Sequence, residues 1–196
     1  ITTVSLASDN STLAVTFSEA VFSTNGGTGN LVASDFAFSI SGGTATLSST
    51  APSSIVISSG NVYTLGISLT GIADGTEVLT VNPVDDSIYD GTANEASTTQ
   101  TNNTATLNDL TAPKIDSVSL NQTNTELSVT FNEAVYNTNG GSGELESSDF
   151  RFSMVGGTAV LSSMTPTSIS TTDNLTFVLG IGLSGTAQGS EVLTVN

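Results

Sequence analysis

The 196-residue chain has no cysteine, no histidine and no tryptophan, and its only basic residues are Lys114 and Arg151. Without cysteine there is no disulfide framework, no zinc–thiolate site and no thiol nucleophile. Without histidine, and with its single lysine beside Pro113, the chain offers a serine nucleophile no usual general base. Against the two cations stand 18 acidic residues, giving a net charge of −16. Nucleic acid and anionic membrane surfaces both demand clustered Lys and Arg, so neither is an expected partner. No apolar run approaches the roughly 20 residues that a bilayer-crossing helix needs, which predicts no direct membrane insertion. Nor does any stretch sustain a 3.6-residue apolar period. What remains is an all-β reading.

What the chain does have is repetition. Leu13-Ala14-Val15-Thr16-Phe17-Ser18-Glu19-Ala20-Val21 returns as Leu127-Ser128-Val129-Thr130-Phe131-Asn132-Glu133-Ala134-Val135. Residues 1–82 align on 115–196 without a gap, with about 46 of the 82 positions identical. The organisation expected is one repeat over 1–114, ending in a linker at 108–114, and a second copy over 115–196. That second copy lacks the counterpart of Pro83–Lys114, about 32 residues, and the chain reads as a fragment of a longer array. A 114-residue period is enough for one two-layer core per repeat.

Within a repeat, apolar residues alternate with Thr, Ser and Ala in short runs. Strands are predicted over Ile1–Leu6, Thr12–Phe17, Phe36–Ile40, Thr44–Ser49, Ser54–Ser58, Val62–Leu69, Glu77–Asn82 and Thr104–Leu107. Gly42-Gly43 reads as a hairpin turn joining the third and fourth of these, and Ser34 or Asp35 as the cap of a single helical turn. The expected core comprises Leu13, Val15, Phe17, Phe36, Phe38, Leu47, Leu65, Ile67 and the residues 114 positions later. Strands of this length with turns every 8–12 residues predict tandem β-sandwiches with Greek-key connections.

The L-x-V-T-F-x-E-A-V strand, the S-D-F-x-F strand, the Asp90–Ala96 segment and the Thr111–Ile115 joint resemble the bacterial immunoglobulin-like repeats of giant surface proteins. The pattern is similar to that of adhesins and extracellular filaments of marine and gliding Bacteroidetes. That resemblance implies immunoglobulin-like Greek-key sandwiches, a location outside the bacterial cell, and a stalk, spacer or fibre-body role without catalysis. The partners it implies are neighbouring repeats of the same chain and identical chains associating laterally into a fibre. A ligand-binding adhesin module, for glycan or a partner protein, is the alternative.

Two groups of acids merit attention as sites. Asp85, Asp86, Asp90, Asn94 and Glu95 gather hard oxygen donors in one short loop, as Ca²⁺ requires, though without EF-hand spacing. Glu19/Glu133, Asp35/Asp149 and Glu77/Glu191 are the acids present in both copies. Glu19 and Glu133 read as strand-end carboxylates or, alternatively, as oxygen ligands for Ca²⁺ near a module end, and Asp35 and Asp149 as turn caps. No cofactor is expected beyond that calcium. For glycan, most Phe and Tyr residues fall on strand positions that read as core, and Tyr89, in the acidic loop, is an exception.

Overall fold

The computed structural model describes residues 1–196. The chain is all-β, with several antiparallel sheets and no α-helix, and it divides into two compact units, Ile1–Thr111 and Ala112–Asn196.

In the first unit the strands are β1 (Thr3–Leu6), β2 (Thr12–Thr16), β3 (Phe36–Ser41), β4 (Thr46–Leu47), β5 (Ile55–Ser59), β6 (Val62–Gly66), β7 (Leu69–Thr70), β8 (Val78–Pro83) and β9 (Thr104–Thr106). One sheet runs β1-β2-β6-β5, a second β3-β8-β9, and β4 pairs with β7. Alternation decides what each strand buries: Leu13 and Val15 of β2, Phe36 and Phe38 of β3, Tyr63 and Leu65 of β6, and Leu79 and Val81 of β8 all point into one cluster. Ile88 and Leu107, from the segment after β8, complete it.

The second unit repeats this with β10 (Ile115–Leu120), β11 (Glu126–Phe131), β12 (Phe152–Val155), β13 (Val160–Leu161), β14 (Ile169–Thr171), β15 (Thr176–Gly180), β16 (Leu183–Ser184) and β17 (Val192–Val195). Its sheets run β10-β11-β15-β14, β12-β17 and β13-β16. Leu127, Val129, Phe150, Phe152, Phe177, Leu179 and Ile181 form its buried cluster. Lys114 joins this unit through its N–H to Asn132 Oδ1, at 2.6 Å.

Most of the expected core is buried, but Leu47, Phe131 and Leu161 are only half-buried. Two expectations of connectivity are corrected. Gly42-Gly43 is not a β-hairpin turn, because β3 pairs with β8 and β4 with β7. The turn instead carries the chain from one sheet to another, with φ of 79° and 57° at its two glycines. Likewise Val62–Leu69 is not one strand. β6 ends at Gly66, where Ser53 and Ser54 approach so closely that a Cβ would collide, and the chain changes sheets before β7.

Each unit centres on three aromatic rings. Phe17, Phe36 and Tyr63 lie with centroids 6.0 to 6.2 Å apart, and Phe131, Phe150 and Phe177 lie 5.9 to 6.3 Å apart. Edge and tilted contacts of this kind suit the ring quadrupole. The first cluster differs by one hydroxyl: Tyr63 OH donates to Val21 O at 3.1 Å, whereas Phe177 fills the same place without it. Tyr63→Phe should therefore keep the shape and lose about 1 kcal/mol, the net worth of a hydrogen bond. A urea titration checks this; a loss above about 3 kcal/mol would mean that the ring position also depends on the hydroxyl.

Candidate functional site

Of the recurring acids, Glu77 and Glu191 sit in the most demanding environment. Glu77 is fully buried at the start of β8. Its Oε1 accepts the N–H groups of Thr44 at 2.9 Å and Ala45 at 2.8 Å, and its Oε2 accepts Asp74 N–H at 3.1 Å. The carboxylate thus ties the turn after β3 to the turn before β8. A Cβ at Gly43 would collide with this carboxylate, so the glycine is required both by its φ and by the close approach.

The second unit builds the same cage. Glu191 accepts Thr158 N–H at 3.0 Å and Ala159 N–H at 3.2 Å on Oε1, and Gln188 N–H at 3.0 Å and Gly189 N–H at 3.1 Å on Oε2. Here the glutamate is only half-buried. Both carboxylates tie turns together by accepting backbone N–H groups.

Burial opposes ionisation of Glu77, but the N–H groups of Ala45, Thr44 and Asp74 outweigh it and hold its carboxyl below the ordinary value. The amides of Gln188 and Ala159 lead in holding Glu191 down to about 2. Asp90 is likewise lowered to about 2, chiefly by the side-chain and backbone amides of Asn94. A carboxyl whose folded pKa lies below its unfolded value stabilises the fold above the unfolded pKa, and that contribution disappears as pH falls through the folded one. Stability should therefore fall between about pH 4.5 and 2, where these carboxyls take up protons. Melts in about 0.5 M salt, where the Debye length is roughly 4 Å, separate this loss from relief of the chain's own negative repulsion. Stability that rose steadily down to pH 2.5 would contradict the cage's role.

The acidic loop is arranged differently from a single five-donor set. It is anchored by Ile88, fully buried, and by Tyr89, which exchanges backbone N–H···O bonds of 2.8 Å in both directions with Phe22. Glu95 Oε1 accepts Asp86 N–H at 2.6 Å. Asp90 closes its own turn, accepting Thr92 N–H at 2.7 Å, Asn94 N–H at 2.9 Å and Asn94 Nδ2 at 2.8 Å. Asn94 thus presents its amide nitrogen, and not its oxygen, to Asp90. The structure pairs Asp86 with Glu95 and Asp90 with Asn94, and leaves the exposed Asp85 side chain without a hydrogen bond. No group of three or more Asp, Glu, His or Cys side chains forms a cation-holding cluster.

The other recurring acids occupy turn and strand ends. Asp35 Oδ2 and Asp149 Oδ2 each reach back over a 3₁₀ turn, Ala33–Asp35 and Ser147–Asp149, to accept the N–H of Val32 and Glu146 at 2.8 Å. Glu19 is exposed, and Glu133 accepts only from its neighbour Asn132, at 3.3 Å. Tyr89 is half-buried in the acidic loop, and its hydroxyl donates to Asp86 Oδ1 at 3.4 Å.

Sequence reasoning missed how the end of the first repeat is seated. Asn108–Thr111, read as the opening of a linker, is bonded into the first unit. Asn10, buried with φ 58°, exchanges bonds with the Asn108 backbone: Nδ2 to Asn108 O at 2.8 Å, and Asn108 N–H to Oδ1 at 2.9 Å. Leu110 N–H then donates to Ala73 O at 2.9 Å. Comparison with protein-family models, curated proteins and solved structures found no match.

Proposed function

We propose that this chain is made of immunoglobulin-like Greek-key sandwiches, and that it serves as a non-catalytic structural and adhesive stretch, a stalk, spacer or fibre body, of a long extracellular surface protein. The fold part of this reading is supported by strand order. β1-β2-β6-β5 beside β3-β8-β9 follows the A-B-E-D and C-F-G order of a constant-type immunoglobulin sandwich.

The observation that carries the functional part is what the repeated residues build. Placed 114 positions apart, they make a matching aromatic trio and the same caged glutamate in each unit. Repetition of an interior serves length and mechanical robustness. Repetition of a catalytic or ligand-reading surface would repeat its polar side chains instead.

Single-molecule pulling on the 196-residue chain tests this. Each unit should unfold as a separate event, lengthening the tether by roughly 3.3–3.6 Å per residue released. Unfolding without resolved events, or saturable binding of the folded chain on a glycan array, would count against a load-bearing spacer. Electron microscopy of the longest protein carrying these repeats then separates single stalks from laterally bundled fibres. In the same reading, Asp85, whose side chain makes no hydrogen bond, is the carboxylate left to meet a divalent cation, beside Asp86, whose side chain accepts only the Tyr89 hydroxyl at 3.4 Å. A melting temperature raised by millimolar calcium over chelator supports that role through linkage, and an unchanged melt removes it.

A further inference from the structure

Between Asp35 and Asp74 no residue is charged, although the whole chain carries −16. Within that stretch β5 forms an edge of its sheet, with a hydrogen-bonded neighbour, β6, on one side only. The strand is internal to the first unit, with β4 before it and β6 after it. Its exposed surface is apolar, Val56 being 59% and Ile57 43% exposed. Open edges are ordinarily guarded by charge, above all by lysine. The guard here is a register shift between Ile57 and Ser59, beyond the apolar run. The second unit protects the same place differently. Its β14 reads Ile169-Ser170-Thr171, followed by Thr172 and Asp173, where the first unit has Ile55-Val56-Ile57-Ser58-Ser59. Both strands pair with their neighbour in the same way, so the fold itself does not require the apolar edge.

The order of residues along β5 points to what fits it. Ser53-Ser54-Ile55-Val56-Ile57-Ser58-Ser59 reads the same in both directions about Val56. Two such strands laid antiparallel about a two-fold axis at Val56 place Ile55 opposite Ile57, Ser54 opposite Ser58, and Val56 opposite its own copy. Main-chain parity agrees with that register. Ser54 O accepts Gly66 N–H at 2.9 Å, so alternation turns Val56 toward β6 as well. The N–H and C=O groups of Ile55 and Ile57 are then left on the open side. Those are the groups that the two-fold brings together.

We propose that β5 is a homotypic pairing edge whose partner is β5 of a second copy of this chain, joined by main-chain bonds between Ile55 and Ile57 in both directions. The two Val56 side chains meet at the axis, in the closer, non-hydrogen-bonded position of an antiparallel pair. An uncharged edge is the surface on which two strongly negative chains meet with least repulsion. Because the contact is isologous, it closes at two copies and does not propagate. The proposal rests on the fibre-body reading only for the idea that identical chains associate, and it adds the surface by which they do so.

Cross-linking tests both the surface and the register. The chain has no cysteine, so Val56→Cys supplies a single thiol per molecule. Cα atoms at a non-hydrogen-bonded antiparallel pair lie about 4.5 Å apart, within disulfide reach. At Ser58, two residues from the axis in each copy, they lie roughly 13 Å apart or more, beyond that reach. With oxidised glutathione, Val56→Cys should therefore form covalent dimer about tenfold faster than Ser58→Cys, or faster still. Sedimentation equilibrium of the unaltered 196-residue chain should show a dimer, tightened in about 0.5 M salt as the mutual repulsion is screened. Val56→Ser combined with Ile57→Thr carries the second unit's residues at these positions, and should weaken the dimer by about tenfold or more by removing its apolar pairs. The proposal is overturned if the chain stays monomeric in high salt, if the two cysteine variants cross-link alike, or if the double variant dimerises as well as the parent. In the last case identical chains still associate, so the fibre reading survives and β5 alone is removed. A monomer that unfolds in two resolved steps under load removes the dimer and leaves a single stalk.

Discussion

Glu77→Ala should destabilise the first unit by about 3–5 kcal/mol, read as a lowered midpoint in urea. The side chain is fully buried, and three N–H groups, those of Thr44, Ala45 and Asp74, point at its carboxylate. Each buried donor left unsatisfied costs about 1–3 kcal/mol, and water entering the vacated space recovers only part of that. Glu77→Gln should cost about half as much, because one oxygen remains while an NH₂ group faces the Asp74 N–H donor. The glutamine variant should also flatten the acid limb of the stability curve, since one lowered carboxyl has been removed. Glu191→Ala should be milder, because its half-exposed cage can turn to solvent, and Glu19→Ala should change nothing measurable. A Glu77→Ala protein as stable as the parent would show that water satisfies the cage as well as the carboxylate does.

Phe36→Ala should cost a further about 3–5 kcal/mol in an otherwise intact chain, the usual range for deleting a buried phenylalanine. The ring is 1% exposed and stands between Phe17 and Tyr63, with centroids at 6.2 and 6.1 Å, so its loss leaves a cavity that two rigid rings cannot collapse to fill. Phe36→Leu, which keeps most of the volume, should cost roughly 1–2 kcal/mol. Domains of this size hold only about 5–15 kcal/mol in total, so the alanine variant should be partly unfolded at moderate temperature. Because the second unit has its own trio, its unfolding should be unaffected. A single transition shifted as a whole would mean that the two units do not unfold independently.

Strand positions were legible because the side-chain period is local. Leu13, Val15 and Phe17 alternate with small residues within five positions, and that alone assigns the buried face. The repeat was legible for the same reason, through identity at fixed spacing. Pairing partners were not. Gly42-Gly43 between two alternating runs is indistinguishable, by local pattern, from a hairpin, yet β3 is completed by β8, some forty residues on. Glu77 shows the same limit for a site. Its neighbours Thr76 and Val78 give it the same local character as Glu19, and only the turn at Thr44–Ala45, more than thirty residues away, makes one carboxylate structural and leaves the other in solvent.

By itself, then, the sequence determined the class of the chain. Absent cysteine left no thiol or disulfide and absent histidine no imidazole, and period-two alternation recurring 114 residues on pointed to an all-β chain. The tertiary structure alone decided which strands share a sheet, which acid is caged, and that Asn108 belongs to Asn10, 98 positions before it. The physical reason is range. Alternation and turn chemistry are written in neighbouring residues, whereas a sheet edge, a cage of N–H groups or a filled pocket exists only once segments far apart in sequence have closed on one another, and the local pattern carries no record of which segment will arrive.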